Sequence, residues 1–250
     1  MNKYYSNIFW HFTGSPKNIK WDEVHKPADI IKDATTKSTY EAWDILKKIL
    51  DSKILKATCN EKLYGYRETD KFCCVTDIPL MNLHRHKKYY EDVALGFNSS
   101  NIYDAFNPVL YTSMSGIIKK VISVEDKKEV WTKEQAENIG IDEEIAKRSG
   151  FELDDNGNYI VPTTTFGYSE NTALEKYFLN FVKLSIFSDE AGESFYQEKE
   201  WRKIGDFRFE YDDLSAIIIP KSHLGEVVDY LSEKGITDIS TFTWEILSKV

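Results

Sequence analysis

The sequence predicts an α+β protein with a mixed or antiparallel β core, flanking helices and a helical and hairpin insertion. Three observations point there. Two amphipathic stretches open on a Ser/Thr-x-x-Glu capping box. Short runs rich in β-branched and aromatic residues lie between them, bounded by Gly and Pro. Strands and helices do not alternate regularly, as a parallel sheet would demand.

The elements follow in order. Residues 4–13 (YYSNIFWHFT) read as a first strand, stopped by Gly14, Ser15 and Pro16. Residues 15–37 are polar with scattered apolar anchors and read as loop. Ser38 and Glu41 cap a helix over 39–52, with Ala42, Trp43, Leu46, Ile49 and Leu50 on one face. Residues 71–78 (KFCCVTDI) read as a buried strand ended by Pro79, and 80–91 as a helix. Residues 92–97 and 108–113 read as two more strands.

Residues 114–150 hold charged, helical pieces ending at Gly140 and Gly150, and Asp154 to Asn158 mark a hairpin between apolar arms. The chain therefore reads as one domain, 1–250, with an insertion at 125–165. Thr172 and Glu175 cap a second expected helix over 173–186, with Leu174, Tyr177, Phe178, Phe181 and Leu184 inward. Residues 199–211 read as a strand pair or one bent strand. Residues 216–219 form a continuous apolar strand, Ser222 caps a helix over 223–234 ended by Gly235, and 239–246 add a last strand.

Composition narrows the function. A net charge of −9 argues against broad, non-specific nucleic-acid binding, which needs clustered Lys and Arg. The three cysteines, Cys59, Cys73 and Cys74, lack Cys-x-x-Cys spacing, so reduced thiols are expected rather than zinc or disulfides. No apolar run is long enough for a bilayer, and the N-terminus lacks a signal peptide's pattern. A cytoplasmic protein with no membrane partner is the expectation.

Chemistry is suggested first by Glu198-Lys199-Glu200-Trp201-Arg202. On an extended segment Glu198 and Glu200 face one side, repel, and raise one pKa unless a cation intervenes. Arg202 continues that face. Such a pair serves as base, electrostatic clamp or metal ligands, against the plain alternative of a solvated strand face. His11, at the end of an aromatic strand beside Thr13, is either a ligand donor or a satisfied core residue. Thr76-Asp77 closes a buried strand and faces a cleft or caps the next helix. The run His84 to Tyr90 is basic and aromatic, fit for a nucleotide or single strand or simply an exposed helix face. No phosphate-binding glycine loop and no nucleophile elbow are present.

Taken together, His11-Phe12-Thr13-Gly14, the helix at 39–52, Cys74 to Leu80, Ala94 to Phe97, Asn107 to Tyr111 and Glu198 to Arg202 resemble the AbiGi-type abortive phage-resistance family. That family looks like a distant relative of the ADP-ribosyltransferases, including DarT-like and CmdT-type toxins. The resemblance implies an ADP-ribosyltransferase-like core and NAD as substrate. It implies Glu200 as catalytic, Glu198 as the acid beside it, and His11, Thr13, Thr76, Tyr89, Tyr90 and Arg202 around the dinucleotide. Val75-Thr76-Asp77 stands where those enzymes carry Ser-Thr-Ser. The function so implied is an anti-phage toxin, held by an antitoxin protein, that transfers ADP-ribose to a nucleic acid, RNA above all, or to a protein. The alternative is an inactive antitoxin or phage-sensing binding module. A third reading is a metal-dependent nuclease using Asp77, Glu198 and Glu200.

Overall fold

A computed structural model describes residues 7–14, 16–19, 23–32, 35, 37–63, 67–113, 129–149, 151–161, 177–190 and 192–248. The chain divides into two compact units, one of Met1–Ser113 with Asn180–Val250 and one of Met114–Leu179.

The larger unit is built on a mainly antiparallel sheet. Nine strands of this unit position the site: β1 (Ile8–Phe12), β2 (Phe72–Thr76), β3 (Ala94–Asn98), β4 (Asn107–Pro108), β5 (Leu110–Thr112), β6 (Val182–Leu184), β7 (Glu200–Ile204), β8 (Leu214–Ile219) and β9 (Ser240–Thr243). Seven of them order as β9-β8-β3-β1-β2-β7-β4. Every neighbouring pair is antiparallel except β8 and β9. The remaining two, β5 and β6, pair in parallel as a separate ribbon.

Register decides which side chains meet. Trp10 lies opposite Thr76, and Thr76 opposite Glu200, so these three share one face. Phe9, Val75 and Trp201 take the other. That second face packs against helix α1 (Thr39–Ser52), whose Ala42, Trp43, Leu46 and Leu50 are buried. The capping box read from Ser38 and Glu41 is formed, and it fixes where α1 begins. The Trp10 face packs Ala94, Ala216 and Ile218 against Leu83 of helix α2 (Leu83–Tyr90) and against Trp244. Gly96 sits opposite Trp10, where a Cβ would come within 2.6 Å of Ile8 Cγ2 and 2.9 Å of the Trp10 ring.

In the smaller unit, helices Lys133–Asn138 and Glu143–Arg148 enclose Ala136, Ile141, Ala146 and Tyr159. Glu152–Leu153 and Tyr159–Val161 form the hairpin read from the sequence. Its turn is held by Asp154, which accepts from the backbone N–H groups of Asn156 and Asn158.

Three local expectations are corrected. Of the helix expected over 173–186, residues 177–179 are helical, Val182–Leu184 are a strand, and 173–176 lie outside the described residues. Val182-Lys183-Leu184 alternates apolar and charged, and pairing with β5 decides the matter over the helical spacing further upstream. Residues 99–105, left without an element, form helix α3 (Ser99–Ala105). Ser222 lies within a one-turn helix, and helix α4 (Leu224–Glu233) starts without a side-chain cap.

Candidate functional site

Glu198 and Glu200 converge as expected, by a different route. Glu198 ends a one-turn 3-10 helix, Phe195–Glu198, and is not on a strand. Lys199 then takes the left-handed conformation (φ 46°), and the chain enters β7 at Glu200. The turn is tied to β2, because the Thr76 hydroxyl donates to the Glu198 carbonyl and Asp77 N–H donates to the Lys199 carbonyl. Tyr111 Oη accepts the Glu200 N–H at 2.8 Å.

Both carboxylates close on Lys183 of β6. Its ammonium lies 2.9 Å from Glu198 Oε2, 2.9 Å from Glu200 Oε2 and 3.2 Å from Glu61 Oε1. Arg202, fully buried, donates from Nε and Nη2 to the two oxygens of Glu200 at 2.8 and 3.1 Å. Its Nη2 also reaches Glu61 Oε2 at 2.6 Å, and its Nη1 the Asn180 carbonyl at 3.1 Å. The Tyr90 hydroxyl donates to Glu198 Oε1. Each carboxylate oxygen of the Glu198–Glu200 pair thus has a protein donor. Aromatic faces close the cations in, with Phe195 4.5 Å from the Lys183 ammonium and Phe72 4.2 Å from the Arg202 guanidinium carbon.

The two acids are held differently. Burial pushes the Glu200 carboxyl up, but Arg202 and Lys183 outweigh it and bring its pKa down to about 2. Burial raises Glu198, Glu200 adds to the rise, and Lys183 only partly offsets them. His86, stacked on Tyr90 at 4.4 Å between ring centres, is brought down to about 3 by burial and by the nearby Lys183 charge. Among the described residues, no group of three or more His, Cys, Asp or Glu side chains is arranged to hold a metal ion. Between the three carboxylates, the position a cation would take is filled by the Lys183 ammonium.

The structure gathers Glu198, Glu200, Thr76, Tyr90 and Arg202 at one place. It leaves three expected residues elsewhere. His11 follows Trp10, so the ladder gives it the opposite face from Glu200, and its Nδ1 donates to the Cys74 carbonyl at 2.9 Å. The Thr13 hydroxyl donates to the Ala42 carbonyl and is buried as a structural link to α1. Tyr89 packs with Ile30 and Phe195. Lys183, Glu61, Tyr111 and Asn180 join the network without having been read from the sequence. Lys183 was hidden in an apparent helix. The Val-Lys-Leu alternation at 182–184 is the signal that marks a strand with a buried charge.

The fold and site together define an α+β protein whose centre is a closed, buried ion-pair network. Residues 52–227, more than half of the chain, match the family described as "Putative abortive phage resistance protein AbiGi, antitoxin". The chain belongs to the AbiGi family, and with it to the proteins of abortive infection and toxin–antitoxin systems. No curated protein and no solved structure gives a significant match. The family's antitoxin description overturns the expectation of an NAD-dependent ADP-ribosyltransferase toxin. Among the described residues, no helix is long and apolar enough to cross a membrane.

Proposed function

We propose that this chain is the antitoxin of an abortive-infection pair, a binding protein that restrains a partner toxin, and that its carboxylate network is a structural clamp. The family description supports this role. The observation that carries it in the structure is the engagement of every carboxylate oxygen of Glu198 and Glu200 by a donor of the protein itself. Each of their four carboxylate oxygens accepts from Tyr90, Lys183 or Arg202. A general base needs a free lone pair and a pKa near the working pH. Glu200, held near 2, is far from that pKa, and each of its oxygens is already engaged by a cation. The same ion pairs tie β6 to β7, and the ladder and the Thr76 hydroxyl tie β7 to β2, a rigid body that suits a protein presenting a surface.

The test is genetic. Induction of the chain alone is expected to leave growth unchanged. Co-induction with the protein encoded beside its gene is expected to relieve that protein's growth arrest. Growth arrest by the chain alone would sink the proposal.

A further inference from the structure

We propose that the surface of residues 185–190 and 192–197 receives the partner protein, with Ile186, Phe187 and Tyr196 as apolar anchors and Asp189 and Glu190 as an acidic rim. The partner face it fits is an apolar depression edged by Lys and Arg. This deepens the antitoxin reading and rests on it.

The first support is exposure on a fixed backbone. Ile186, Phe187 and Tyr196 are 54, 54 and 58% exposed. Singly exposed apolar residues are ordinary, but here Phe187 and Tyr196 touch, with ring centres 5.7 Å apart. The loop around them is pinned. Gln197 Nε2 donates to the Ser188 and Glu190 carbonyls at 3.3 and 3.2 Å. Ser188 Oγ accepts from Glu190 N–H, and Ser185 Oγ accepts from Tyr196 N–H. Ala28 N–H donates to the Gly192 carbonyl at 2.9 Å, and Lys26 pairs with Glu193 at 2.6 Å. Aromatic side chains held in place beforehand lose little freedom on binding, which is the property of interface anchors.

The second support is charge. Asp189 and Glu190 are exposed next to Phe187 in the chain, and Lys26, which approaches the segment, is already paired with Glu193. The whole chain carries −9. Such a rim selects a basic partner and speeds its approach. It also disfavours a second copy of this chain, because a two-fold contact would set one acidic rim against another.

The experiment measures binding of the full chain to the purified protein encoded beside its gene. Phe187→Ser and Tyr196→Ser are each expected to weaken binding by about tenfold or more. Their melting temperatures should match the wild type. Asp189→Lys with Glu190→Lys should slow association by about tenfold and flatten its salt dependence. Wild-type affinity in the two ring variants would overturn the proposal. So would a wild-type dimer in light scattering that Phe187→Ser converts to a monomer. If the variants bind and protect cells like the wild type, this surface fails while the antitoxin role stands. If the wild type neither binds nor protects, both fail.

Discussion

The Lys183 ammonium lies 2.9 Å from Glu200 Oε2 inside the protein, with both side chains buried. Lys183 comes from a strand outside the main sheet and Glu200 from a strand within it. The contact therefore locks the β5–β6 ribbon to the sheet, and its energetics are open to direct tests.

Removing Lys183 leaves Glu61, Glu198 and Glu200 facing one another with only Arg202 between them. Lys183→Met is expected to cost about 3–5 kcal/mol, the usual penalty for stranding a buried charge. Adding Glu198→Leu should restore a measurable part of the loss. Urea denaturation of both variants checks this, and equal losses would contradict it.

The two acids should respond unequally to neutralisation. The folded state favours ionised Glu200 and disfavours ionised Glu198. At pH 7, Glu200→Gln is expected to cost about 2–4 kcal/mol because it leaves the buried guanidinium only Glu61 as a carboxylate partner. Glu198→Gln should cost clearly less. Denaturation midpoints that reverse this order would refute the assignment of charge.

His86 sets a pH dependence with a definite sign. Its folded pKa, about 3, is below the ordinary 6.5, so the unfolded chain binds the extra proton in between. Its contribution is therefore intact above pH 6.5 and lost as pH falls toward 3, by up to about 1.4 kcal/mol per pH unit. His11 is lowered by burial and acts in the same direction, whereas the raised Glu198 opposes it. His86→Phe keeps an aromatic ring against Tyr90 and should flatten the fall in stability between pH 6.5 and 4.5. An unchanged slope would count against it.

Gly96 tests the sheet itself. A methyl group there runs into Ile8 and the Trp10 ring on the same face, both in the packed core. Gly96→Ala is expected to lower stability by about 1–3 kcal/mol through overpacking. Thermal melting reads the effect, and a neutral result would show that Trp10 has room to shift.

Much of this was legible in the chain where the signal is local. The cap at Ser38, the five inward residues of α1 and the hairpin at Asp154 depend on near neighbours, and each was readable. The strand at 182–184 was not. Its conformation is set by β5, more than 60 residues earlier in the sequence, and by carboxylates that arrive later. The site was half legible for the same reason. Glu198, Glu200 and Arg202 announced themselves by spacing, but spacing says nothing of which cation meets them. Whether His11 faces Glu200 was not legible, because a one-residue step along a strand reverses the face, and only the register with Thr76 reveals which face Glu200 occupies.

The parallel β5–β6 ribbon has a further consequence in time. Its two strands flank the whole of Met114–Leu179, so a ribosome must finish that unit before Lys183 exists to meet its partners. Until residue 183 emerges Glu61 has neither of its cations, and until residue 202 it lacks the second and β2 has no neighbour on its β7 side. The nascent protein therefore spends much of its synthesis with an open sheet edge, and the last step to close it is also the one that buries the charges.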